Sequence, residues 1–83
     1  MASVTYYVVV PFSVDDDGNL APGEAKEAPN GESAKRRAQA AFAAAGNVGA
    51  IAFSRTGDPD SGDFQDAVII ATYGEVDMGA TTA

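Results

Sequence analysis

From Val4 to Val14 every even position is apolar: Val4, Tyr6, Val8, Val10, Phe12 and Val14. Alternation at period two over that length predicts a β-strand with one committed face. The odd positions Thr5, Tyr7, Val9, Pro11 and Ser13 are mixed, and Tyr7 and Val9 are larger and more apolar than a solvent-washed face favours. The pattern therefore assigns the even face to the core under a helix and the odd face to the open side of the sheet.

The strand runs into Asp15-Asp16-Asp17-Gly18-Asn19, residues that tolerate tight-turn geometry, so a hairpin is expected. Its return arm, Leu20 to Ala28, carries Pro22 and Gly23 and reads as an edge or bulged strand. Pro11 removes a ladder donor, which limits full two-sided pairing of the first strand to about Val10. Pro29-Asn30-Gly31-Glu32-Ser33 opens a helix with Asn30 as N-cap, Ser33 being the rival cap. The helix is expected to end at Ala45 with Gly46 just beyond it. Its inward stripe is Ala34, Ala38, Ala41, Phe42 and Ala45, an alanine face with Phe42 as the one large knob.

Val48 to Arg55 forms a third strand, with Ile51 and Phe53 on one face and Ala50, Ala52 and Ser54 on the other. A turn dense in Gly, Pro and Asp leads to the last strand, Phe64 to Val76. Its Ala67-Val68-Ile69-Ile70-Ala71 core, apolar on both faces, suggests an inner position. The expected class is α+β: a two-layer ββαββ domain over residues 1–77, a four-stranded, largely antiparallel sheet with one helix packed on one face. The first strand lies inside the sheet and the Leu20 to Ala28 arm at an edge. Strand orders 2-1-3-4 and 2-1-4-3 both remain open. Residues 78–83 lack periodicity and are expected to form a disordered tail.

Composition removes much of the usual chemistry. Among 83 residues there is no Cys, no His and no Trp, which excludes disulfides, thiol catalysis and zinc sites of imidazole or thiolate. A domain of this size buries only about 60% of its unfolded surface, so its core is modest. Twelve acidic against five basic side chains give a net charge of −7, which repels nucleic-acid phosphate and anionic membrane. No apolar run reaches membrane-spanning length and no secretion signal opens the chain, so a soluble cytoplasmic protein is expected.

The acidic loop from Asp58 to Asp66 is the richest cluster of carboxylates and could ligate a hard cation such as calcium. Its spacing departs from the EF-hand pattern: Gly62 precedes Asp63, and Val68 rather than Glu stands six residues beyond that Gly. Hairpin hydrogen bonding explains the loop without a metal. Arg55 ends the third strand beside it, so Arg55, Asp58, Asp63 and Asp66 form a candidate ligand clamp, or an ion pair that merely closes the hairpin. Lys35-Arg36-Arg37 spreads over about 200° of helix arc and reads as a solvated face supported by Glu32.

With few catalytic groups and no phosphate-cradling or nucleophile motif, the sequence points away from an enzyme and implies no cofactor. The leading expectation is a non-enzymatic interaction or assembly module. It would act as a homodimer or on a protein partner through the open sheet face, with Tyr7 and Val9 as interface residues. The competing expectation is a small-ligand or cation site at Arg55 and the acidic loop. A third is an acidic decoy that occupies a nucleic-acid-binding protein.

Overall fold

In the computed structural model, which describes residues 3–77 except Pro59, the chain alternates short strands around a single helix. The elements are β1 (Val4–Val14), β2 (Leu20–Pro22), β3 (Lys26–Ala28), α1 (Gly31–Ala43), β4 (Gly49–Asp58), β5 (Asp63–Phe64) and β6 (Val68–Gly74). The fold is α+β, one helix with a curled antiparallel sheet. The tail expected at 78–83 lies outside the described residues.

β1 lies inside the sheet, with β2 and β3 along one side and β4 along the other; β5 and β6 flank β4 in turn. Of the two orders open from sequence, the one that puts the last strand at the far edge is realised. The Leu20 to Ala28 arm breaks into β2 and β3 at Pro22-Gly23. There Gly23 N–H donates to Pro11 O at 2.7 Å. In an antiparallel strand a residue's N–H and C=O point to the same neighbour. The donor that Pro11 lacks therefore faces the broken arm, and pairing with β4 continues past it to Phe12 opposite Gly49. Full pairing on the β4 side thus outlasts the expected stop at Val10.

The two faces of β1 are reversed relative to the reading from sequence. Val9 is buried in a cluster with Ala28, Ala34, Ala38, Ala50 and Ala52, and Tyr7 packs against it, so both lie beneath α1. Val10, Phe12, Ile51 and Phe53 form a second cluster on the other face, covered by Val8, Leu20, Ala67 and Val76. The reason is size matching. A helix surfaced by alanine gains most by close approach, and the small face of β4, Ala50 and Ala52, permits it. The large residues on the opposite face are enclosed by strand ends and by the curl of the sheet; Phe12 and Ile51 are wholly buried there without a helix above them.

Asn30 caps α1, its Oδ1 accepting from Ser33 N–H at 2.7 Å. The helix ends at Ala43, two residues before the expected Ala45, and the Ala41 carbonyl accepts from Ala44 N–H at 3.2 Å and from Asn47 Nδ2 at 2.8 Å. Ala34 and Ala38 are fully buried, but Phe42 is 41% exposed and stacks on Tyr73 at the helix end. Phe42 is therefore not the knob that anchors the helix.

β6 is an edge strand and not the inner strand that its apolar run suggests. A bulge at its pairing with β4 shifts the register so that Ala71 faces Ala52 while Ile69 faces Phe53. Ile70 is thereby turned toward the helix-side cluster, leaving Val68 and Ile69 exposed.

Candidate functional site

Residues directly opposed in an antiparallel pair project to the same side of the sheet. Tyr6 faces Arg55, Val8 faces both Phe53 and Glu27, and Gly57 faces Phe64. Tyr6, Val8, Glu27, Arg55 and Phe64 therefore share the face turned away from α1. They line a cavity of about 620 Å³ together with Gly62.

Gly57 shapes one wall. A side chain there would run into Phe64, whose Cδ1 lies 2.6 Å from the position a Cβ would take. Because Gly57 has none, the Phe64 ring can pack close against β4 and reach its neighbours. Its centroid is 6.1 Å from that of Tyr6, and the Arg55 guanidinium carbon sits 5.5 Å above it, within cation–π range. Gly62, at φ +77°, makes the left-handed turn that returns the chain to β5.

Arg55 is the charged centre of this wall. Its Nε is buried and has no hydrogen-bond partner among the described residues. No ion pair joins it to Asp58, Asp63 or Asp66 among the described residues. The pair seen there, Lys26 with Glu24 at 3.5 Å, lies on the exposed arm. A guanidinium offers five N–H donors and no acceptor, so a group placed beside it must be an acceptor.

The expected clamp of Arg55, Asp58, Asp63 and Asp66 is not brought together. Successive strand residues alternate sides. Asp58 and Asp63 pair with each other on the side opposite Arg55, and Asp66 lies beyond β5. Asp58 Oδ1 accepts from Asp60 N–H at 2.9 Å and its carbonyl accepts from Gly62 N–H at 2.9 Å, so this carboxylate organises the turn. Among the described residues no three carboxylates converge as metal ligands would. The basic helix run is exposed, and Arg37 Nη1 donates to the Glu27 carbonyl at 3.2 Å, which ties α1 to β3.

Tyr7 and Val9, expected at an interface, are committed to the helix side of the sheet. The residues that line the cavity, Tyr6, Val8, Glu27, Gly62 and Phe64, were missed as site residues. The signal was present: Arg55 shares strand parity with Ile51 and Phe53, and Tyr6 belongs to the even set of β1. Among the described residues no helix is long and apolar enough to cross a membrane. No protein-family model matches this chain, and no similar curated protein or solved structure was found.

Proposed function

We propose that this chain is a non-enzymatic interaction module, acting as a homodimer or on a protein partner through the sheet face turned away from α1. In this reading β2 and β3 work as one interrupted arm and β5 and β6 as another, which makes the domain a two-layer ββαββ unit. The observation that carries the proposal is the distribution of exposed large apolar side chains. Among the described residues, four of the six exposed large apolar side chains, Val4, Val14, Phe64 and Ile69, belong to that face by strand register, while Val68 and Phe42 lie on the helix side. Exposed apolar surface concentrated on one face of a small domain marks a contact surface.

The adjoining β6 edge supports the same reading. Val68–Gly74 contains no charged residue and no proline, the two features that usually keep an edge strand from pairing. The test is a concentration series followed by light scattering and by amide chemical shifts. Self-association moves the amides of Phe64, Ile69 and the even residues of β1, and Ile69→Lys abolishes both the shifts and the mass increase. A native chain that stays monomeric at high micromolar concentration, with static shifts, removes the homodimer. If no added protein then moves those amides, the face has no such role.

A further inference from the structure

We propose that the cavity between Tyr6, Arg55 and Phe64 binds the carboxylate of a small acid with an aromatic or branched apolar body. This rests on the sheet face away from α1 being the working surface and names what its recess accepts. The volume, about 620 Å³, falls within the usual size of a small-molecule site, roughly 300 to 1,000 Å³.

Three features select the ligand. Arg55 supplies the anion site: its guanidinium is held over the Phe64 ring, and its Nε is desolvated and unanswered among the described residues. A carboxylate matches the guanidinium fork with two parallel hydrogen bonds. Tyr6, Val8 and Phe64 supply apolar and aromatic walls for the body of the ligand. Glu27 sets polarity. It lies on β3 and Arg55 on β4, with β1 between them, so their strands stand roughly 10 Å apart. A carboxylate is repelled from the Glu27 end and drawn to the Arg55 end. The same balance disfavours phosphate, since a second negative charge would meet only one cation and a facing carboxylate. The net charge of −7 slows every anion alike, an effect largely screened beyond about 10 Å at 0.1 M salt.

The experiment is an amide chemical-shift titration at physiological salt and at a protein concentration where the chain is monomeric, with phenylacetate, phenylacetamide and benzylamine as probes. Phenylacetate should shift Tyr6, Val8, Glu27, Gly62 and Phe64 with saturation in the millimolar range, and phenylacetamide should bind about tenfold more weakly or worse. Arg55→Gln should abolish the phenylacetate shifts, while Arg36→Gln on the exposed helix face leaves them intact. Should Arg55→Gln fail to fold, Arg55→Lys, which keeps the charge but not the fork, should still lose most of the affinity. Equal binding of acid and amide, stronger binding of benzylamine, or no saturable shift overturns the proposal. A phenylacetate response that survives in Arg55→Gln does so as well. If at higher concentration, where the chain is dimeric, added acid dissociates the dimer while the monomer's cavity amides stay unmoved, the occupant of Arg55 is a carboxylate of the second copy, and the small-acid assignment falls while the interaction face stands. A monomer that binds phenylacetate but never self-associates shows the reverse.

Discussion

The two faces of the sheet solve the same problem with opposite materials. Under α1 the contacts are alanine on alanine, with Ala34 and Ala38 against Ala50 and Ala52, and Val9 is the largest aliphatic side chain buried there. On the other face Phe12, Ile51 and Phe53 are buried without a helix, by curvature and by Val8, Leu20, Ala67 and Val76. The first face buries little area per residue but tolerates almost no change of volume. The second carries the bulk of the large apolar side chains, and toward the ends of β1 and β4 it opens into the Arg55 cavity. Coverage by a helix is thus no guide to where a sheet keeps its largest residues.

The largest effect should come from Ala52→Glu, which places a carboxylate in the alanine cluster between Val9 and Ala71, the residues opposite it on β1 and β6. Burial of an unpaired charge costs at least about 4 kcal/mol, comparable with the whole stability of a small domain. Far-ultraviolet circular dichroism should report an unfolded chain; a folded Ala52→Glu monomer would falsify the assignment of faces. Phe12→Ala, on the curled face, should cost about 3 to 5 kcal/mol in a denaturant titration, because the ring is wholly enclosed. Ala38→Leu makes the reciprocal change on the helix face. It should cost about 1 to 3 kcal/mol through overpacking, although leucine is a good helix former. Phe42→Ala should cost only about 1 kcal/mol, the value of a half-exposed ring stacked on Tyr73. The smallest effect is a gain: Asp63→Thr removes a like-charge pair opposite Asp58 and should stabilise by about a few tenths of a kcal/mol, read as a slightly higher melting temperature.

Much of the fold was legible in the sequence. The eleven-residue alternation of β1, the Asn30 cap, the Pro22-Gly23 break and the α+β class follow from local chemistry that the folded chain leaves in place. Which face of β1 meets the helix was not legible from β1 itself, because both faces carry large apolar residues. It depends on the alanines of α1 and β4 finding one another. The position of β6 was misread for a related reason: its bulge sends Ile70 one way and leaves Val68 and Ile69 exposed, so an apolar run that looks doubly buried lies at an edge. The cavity followed the same pattern. Arg55 stood out in the sequence, but its expected partners were its neighbours in sequence. Its actual neighbours, Tyr6 and Phe64, come from register.

The β1–β4 ladder also governs how the chain comes to be folded. The hydroxyls of Thr5 and Thr56, 2.9 Å apart in the sheet, belong to residues 51 positions apart in the chain. Closing so long a loop costs entropy before any contact repays it, so folding should occupy milliseconds or longer instead of microseconds. During synthesis the first strand emerges early and must wait for β4, with only the short β2–β3 arm to shield its apolar even positions. The interval before β4 leaves the ribosome is therefore when this chain is most exposed to aggregation and most dependent on chaperones.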